Sequence, residues 1–316
     1  MQTMLQPNTT KQKRLKKRKR WGIHLFPIPA LAIYGLFIVY PQLAALTYSF
    51  YDWKGIKRGV FIGLDNYKNL FTQEPFSGYF WNSFGHNVLY FAVQMIVQNG
   101  LAFLLAFIIY QKIRGAEFFK IAYFLPRLLS VIVVGFLWKL ILNPNYGALN
   151  VIFGAFGLEN LKKAWLGDPD TALMAIILVN CWFGLGFAVL IFLAGFQAIP
   201  RDLLEAATLD GAKGLMMLRR IMLPLMMPSI MIMTVLTFIQ SFEAFELVYA
   251  MQGSQGEPYH ATDTLAVFFY RLAFGGGTGD STAIGLGSAL AVLLFLFISV
   301  ITAFYLRYMQ KKQVDM

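Results

Sequence analysis

Cysteine occurs once, at Cys181. A single thiol excludes an intramolecular disulfide and cannot build a cysteine metal cluster. Histidine occurs only at His24, His86 and His260, too scattered to read as a metal motif. Charge is scarce as well. Asp, Glu, Lys and Arg make up 14% of the 316 residues, whereas a soluble domain carries about a quarter. There is no glycine-rich phosphate loop ending in Lys-Ser/Thr, no H-E-x-x-H and no nucleophile elbow. The chain therefore carries no motif for hydrolysing ATP, for zinc-dependent proteolysis or for serine-hydrolase chemistry.

What is abundant is apolar: 58% of residues are hydrophobic and the mean hydropathy is +0.58, the composition of an integral membrane protein. A hydrocarbon core needs about 20 apolar residues per helical span. The pattern predicts an all-α chain of six transmembrane helices, near Ile23–Phe50, Asn87–Tyr110, Phe118–Leu142, Ala172–Ala198, Leu225–Met251 and Ile284–Tyr308. Residues 51–83 read as a loop. A short interfacial helix is expected between spans three and four, and before span six a polar, outward-facing loop (252–283) that either contacts an extracytoplasmic protein or is simply solvated. With no repeat and only short linkers, residues 21–316 read as one membrane domain behind a basic tail at 1–20.

The net charge is +11, and eight of the cations lie between Lys11 and Arg20. Such a run could be a nucleic-acid arm. Because it abuts the first span, orientation and contact with anionic lipid explain it better, and no nucleic-acid partner is expected. The long basic region and the absence of a small-residue cleavage site argue against a cleaved signal. Of the 27 Lys and Arg residues, 18 fall on one side of the predicted spans and 7 on the other, while Arg127 and Lys139 lie within span three. By the positive-inside rule both termini and the segment after span four are cytoplasmic.

That segment, Glu205–Pro224, reads EAATLDGAKGLMMLRRIMLP. Good helix formers give way at Asp210-Gly211, where glycine supplies the freedom for a sharp turn. A second short helix follows, carrying Arg219 and Arg220. The spacing of Glu-Ala-Ala, Gly211 and Ile221-x-Leu223-Pro224 closely resembles the EAA loop of binding-protein-dependent ABC import permeases. The phrases FIGLDNYKNLF, NPNYG-x-x-N with a later W-L-x-D-P, and TDTLAVFFYRLAF resemble the maltose-type sugar permeases, and the likeness covers most of the chain.

The resemblance implies a type I importer (MetI-like) permease fold in a bacterial inner membrane. It also implies a complex with a second, related permease, two ATPases and an extracytoplasmic solute-binding protein. ATP and Mg would serve the ATPase, with no cofactor bound by this chain. Glu205, Ala206, Ala207, Asp210 and Gly211 are then the ATPase-coupling residues. The acids are expected at that interface or at the loop's own helix ends, where an acid near an N-terminus is favoured by the dipole. Arg219 and Arg220 serve either this interface or lipid phosphate. The methionines around Met222 and Met226 read as adaptable packing.

In the maltose-type permeases the stretch matching VNCWFGLGF lines the sugar site, which implies Asn180, Phe183, Gly184 and Phe187 as contacts with Trp182 beside them; Cys181 only packs. The chemistry suits sugars: an amide donates to and accepts from hydroxyls, and an aromatic face stacks on a pyranose. Polar groups inside spans are functional candidates, which adds Thr237, Gln240, Ser241 and Glu243 in span five, the alternative being helix–helix hydrogen bonds. Ala244 departs from the asparagine-rich maltose pattern and implies a different specificity. By position Arg127 matches an aromatic sugar contact of the maltose-type permeases, so the resemblance implies a place on the path for it. If span three is straight, it sits roughly 15 Å from the cytoplasmic end. It faces either an acidic solute such as a uronate, or a partner acid (Glu243, Glu246 or the second permease). Two other functions compete: a stand-alone secondary transporter, and an ABC permease for a polyol or glycerol phosphate.

Overall fold

The computed structural model describes residues 25–55, 57–275 and 283–314. The basic run between Lys11 and Arg20 lies outside them, as do residues 276–282 of the loop before span six. In lipid the backbone must satisfy its own hydrogen bonds, so apolar runs become helices. Four helices are long and apolar enough to cross a membrane, and two bent pairs bring the number to as many as six.

The first helix, α1, covers Ile28–Tyr48. It widens to π-type turns over Gly35–Val39 just ahead of Pro41, whose missing N–H cannot continue the regular ladder. Residues 51–83, expected as a loop, are instead ordered. Strands β1 (Tyr51–Lys54) and β2 (Lys57–Phe61) pair antiparallel. They are followed by α2 (Asp65–Thr72) and by α3, which runs from Phe76 to Tyr110 and so starts well before Asn87. Contacts distant in sequence impose this order. Asn66 donates from Nδ2 to the carbonyls of Ser49 (2.8 Å) and Tyr51 (3.0 Å), and the Tyr67 hydroxyl meets Ser49 Oγ at 2.7 Å.

Span three is not straight. It is α4 (Ala116–Leu128) and α5 (Val131–Ile141), bent by 99°. Leu129 and Ser130 are extended, and the 3-10 turn that precedes them starts around Pro126. Gly186 fits against the backbone of Tyr123 and Phe124 at this corner, where a Cβ would collide with the Tyr123 carbonyl. The interfacial helix expected next is α6 (Ala148–Ala155). Asn150 holds it: its Oδ1 accepts from Trp165 Nε1 at 2.8 Å, and its Nδ2 donates to the Lys163 carbonyl at 2.9 Å. Helix α7 (Pro169–Gln197) opens on Pro169, with Asp168 accepting from the Asp170 N–H at 3.0 Å, as suits an N-cap followed by proline.

Helices α8 (Arg201–Leu209) and α9 (Gly214–Leu225) form the polar excursion. Span five also departs from the expected Leu225–Met251. Helix α10 (Met227–Phe242) is bent by 68° from α9. It stops at Phe242, and the chain resumes as α11 (Glu246–Gln252). Then come α12 (Leu265–Phe274) and α13 (Ile284–Val314). Apart from the hairpin, the regular elements among the described residues are helical.

The core has three buried clusters. One joins Tyr90, Val134, Ile176, Phe183 and Val248. A second, toward the α8–α9 end, joins Ala106, Phe192, Phe196, Met222 and Met226. The third joins Leu70, Phe242, Phe268 and Leu290. Small residues bring helices close, as membrane interfaces require: a Cβ on Gly135 of α5 would fall 2.6 Å from that of Ala250 in α11.

The polar segment before α12 is fastened at Asp263, while Tyr259 stays exposed. Arg271 donates from two nitrogens to the two oxygens of Asp263, at 2.8 and 2.6 Å. The two side chains are 5% and 0% exposed. The Asp263 carbonyl meets His86 Nδ1 at 2.7 Å, and Asn82 donates to the His260 carbonyl at 2.9 Å. Removing one partner from a buried pair costs about 3–5 kcal/mol. Asp263→Asn should therefore lower the apparent melting temperature of the detergent-purified protein clearly; an unchanged melting temperature would show that the pair does not hold this end together.

Candidate functional site

Both bent spans turn their breaks toward α7, and a cavity of about 380 Å3 lies where they meet. Arg127 enters from the turn ending α4, and Asn180 and Phe183 from α7. Gln240, Glu243 and Glu246 come from the junction of α10 and α11, and Tyr90 from α3. Five residues expected on the path are thus brought together: Arg127, Asn180, Phe183, Gln240 and Glu243.

Arg127 does not sit partway along a straight span. It occupies the corner of a broken one, because Leu129 and Ser130 leave the helix. Its guanidinium carbon is 4.7 Å from the centroid of the Phe183 ring, within cation–π range. Neither Glu243 nor Glu246 lies within 4.0 Å of it; the ion pairs among the described residues are elsewhere. The side chain is exposed, whereas Phe183 is only 3% exposed although it lines the cavity.

Four other expected path residues lie outside this lining. Thr237 and Ser241 face α3: Asn99 donates to Thr237 Oγ1 at 2.8 Å, and Ser241 Oγ donates to Gln94 Oε1 at 2.6 Å. Gln240 near the end of α10 and Ala244 in the break after it line the cavity instead. Gly184 is turned toward Gln98, whose Oε1 would be 2.8 Å from a Cβ there. Phe187 is half-buried and does not reach the lining. Trp182 packs edge-on against Trp138 at 5.4 Å, and Cys181 is buried. Sequence reasoning missed Tyr90. The signal was there: Asn87, Tyr90, Gln94 and Gln98 recur every three or four residues of α3 and share one buried face.

The second candidate feature is the turn between α8 and α9. Gly211 has φ +86°. Its N–H donates to the Thr208 carbonyl at 3.0 Å, and the Ala212 N–H to the Ala207 carbonyl at 2.9 Å. This is the Schellman arrangement that Asp210-Gly211 foreshadows. Glu205, Ala206 and Asp210 are exposed, but Ala207 is 8% exposed and packs inward. Asp210 ends α8 rather than starting a helix, so the helix dipole does not favour it, in contrast to the expectation. Clefts of about 740 and 1090 Å3 flank α8, leaving it as a ridge. Leu209 at its tip is 89% exposed and Leu215 beyond the turn 76%. Arg219 and Arg220 are exposed on a π-type turn, with Arg220 sharing a cleft with Asp210.

Residues 98–314 match the family described as binding-protein-dependent transport system inner membrane components. The chain is 30% identical over 298 residues to the trehalose/maltose transport system permease protein MalF of Thermococcus litoralis, covering 93% of this chain and 95% of the relative. It is 31% identical over 313 residues to the sulfoquinovosyl glycerol transport system permease protein SmoG of Agrobacterium fabrum, covering 95% and 96%. The fold is similar to a chain in the crystal structure of a bacterial ABC transporter involved in the import of the acidic polysaccharide alginate. There the TM-score is 0.78 at 22% identity, over 95% of this chain and 99% of that one.

The position of Gly184 gives a direct check. A side chain there must push Gln98 aside, and overpacking costs about 1–3 kcal/mol. Gly184→Val should lower the melting temperature of the purified protein. Unchanged stability with altered transport would show instead that Gly184 faces the solute.

Proposed function

The chain belongs to the binding-protein-dependent transport system inner membrane components and is a carbohydrate-uptake ABC permease; on that footing we propose that its solute is an acidic, uronate-containing saccharide and that Arg127 reads the acid. The observation that carries this is an arginine in the cavity with no carboxylate among the described residues within 4.0 Å. A cation in a membrane interior is costly and is retained for a role, and its planar fork suits a carboxylate. Asn180, Gln240, Glu243 and Glu246 line the same cavity and offer donors and acceptors to the hydroxyls around that acid. The relatives' names range from trehalose/maltose to sulfoquinovosyl glycerol, and the similar fold is that of a transporter involved in the import of the acidic polysaccharide alginate, with which an acidic solute is compatible.

The remaining assignments follow from the family and from the exposed ridge. The chain makes six crossings with both termini cytoplasmic, so that residues 199–224 face the cytoplasm and the end bearing the hairpin and Asp263 faces the binding protein. A second, related permease completes the path. Two ATPases use ATP and Mg, and each ATPase holds the ridge of one permease; on this chain Glu205, Ala206, Asp210 and the exposed Leu209 are the contacts, with Gly211 setting the turn. Arg219 and Arg220 meet lipid phosphate beside it. Thr237, Ser241, Gly184 and Phe187 join the path only in other states of the cycle.

The test is purification of the complex from native membranes, followed by reconstitution with its binding protein. Oligouronates, neutral oligosaccharides, polyols and glycerol phosphate are then compared for uptake. A hydrogen bond to a charged group contributes about 1.5–3 kcal/mol, so Arg127→Gln should lower oligouronate uptake roughly tenfold to a hundredfold. Normal oligouronate uptake by that variant, or uptake confined to polyols or glycerol phosphate, would contradict the solute assignment. Leu209→Asp should strip the ATPase while the second permease stays bound; retention of the ATPase would contradict the docking assignment.

A further inference from the structure

Phe183 is the aromatic platform of the cavity, yet it is 3% exposed, while the guanidinium of Arg127 lies over its face at 4.7 Å. The cation therefore occupies the place where the apolar face of a sugar ring would stack. Tyr90 does not offer a substitute, being 1% exposed. Glu243 and Glu246 line the same cavity but do not draw Arg127 away. The side chain is otherwise free to move, since it is exposed and makes no hydrogen bond among the described contacts.

We infer that Arg127 is a displaceable cover on Phe183, so that the platform opens only to a solute whose anionic group pulls the guanidinium off the ring. This rests on the acidic-solute reading above and adds a discrimination step to it. An acidic sugar exchanges the cation–π contact for a charge-assisted, bidentate one, and the freed ring then takes the sugar face. A neutral sugar brings no anionic group to exchange for the cation–π contact, and is disfavoured by the strength of the contact it breaks. Specificity then comes from a penalty on the wrong solute as well as from attraction to the right one. Phe183, not only Arg127, is thereby a specificity-determining residue.

The experiment compares the reconstituted complex carrying Arg127→Ser, Arg127→Lys, Phe183→Leu, or Arg127→Ser with Phe183→Leu. Its probes are a panel of oligouronates and their carboxyl-reduced neutral counterparts, alike in linkage and length. The short serine uncovers the ring, so uptake of the neutral members should rise about tenfold, the scale of a partly desolvated cation–π contact. Phe183→Leu in the serine background should abolish that gain, because the platform is then missing. Lysine keeps the charge and covers the ring less well. Arg127→Lys should hold oligouronate uptake within a few fold and show an intermediate neutral gain, which also reports that the site folds.

If Arg127→Ser loses oligouronate uptake but neutral uptake stays at the parent level, the cover is disproved while the acidic-solute reading stands. A neutral gain that persists without Phe183 likewise disproves the cover. If oligouronate uptake is unchanged and neutral uptake does not rise, both fail.

Discussion

Asn87 holds the broken end of α10 to the rest of the bundle. Its Nδ2 donates to the Ser241 carbonyl at 2.6 Å, and its Oδ1 accepts from the Leu265 N–H at 2.8 Å. Thr264 Oγ1 takes the Ala244 carbonyl at 2.6 Å. A helix that stops at membrane depth leaves carbonyls and N–H groups without partners, which lipid cannot supply. Here Asn87 and Thr264 donate to two carbonyls at and just past the end of α10, and Asn87 also accepts from the N–H of Leu265 at the start of α12. With those groups satisfied, the chain can turn at Glu243–Phe245 and present Gln240, Glu243 and Glu246 to the cavity.

The second break, at Leu129–Ser130, completes the arrangement from the other side. Gly186 lets α7 close against the corner of α4, and α5 turns back to pack on α11 through Gly135 and Ala250. Arg127 is carried to the edge of the cavity by this corner, next to Phe183 of α7. At one end of the bundle, the hairpin, Asn66, Asn150 and the Asp263–Arg271 pair lock the connections. At the other, α8 projects between two clefts with Leu209 bare. One end is fastened by side-chain bonds, the other presents a ridge, and the cavity sits where two helices are interrupted.

Much of this was legible from residues alone. Hydropathy located the apolar runs. The Asp210-Gly211 break foretold a sharp turn, where Gly211 has φ +86°, and the Glu205–Pro224 pattern named the family. The breaks were not legible, because averaging over a span runs straight through Leu129-Ser130 and Glu243-Ala244-Phe245; Pro126 was the available hint. Periodicity put Thr237, Ser241 and Gln240 near one face but could not say which neighbour looks at the cavity. That depends on Asn99 and Gln94 in another helix. The phrases that resemble sugar permeases most, around Asn66, Asn150 and Asp263, are fasteners between distant segments, and their role is invisible until those segments meet. The hairpin at 51–61 was missed for the same reason.

Interrupted helices carry Arg127 to a cavity over Phe183. Cysteine accessibility tests this placement and whether water reaches it. With the buried Cys181 replaced by serine, Arg127→Cys in the assembled complex should react with a membrane-impermeant methanethiosulfonate reagent, and a bound oligouronate should slow that reaction. A cysteine at 127 that resists the aqueous reagent in every state of the transport cycle, yet reacts with a lipid-soluble one, would place the residue toward lipid and contradict the account.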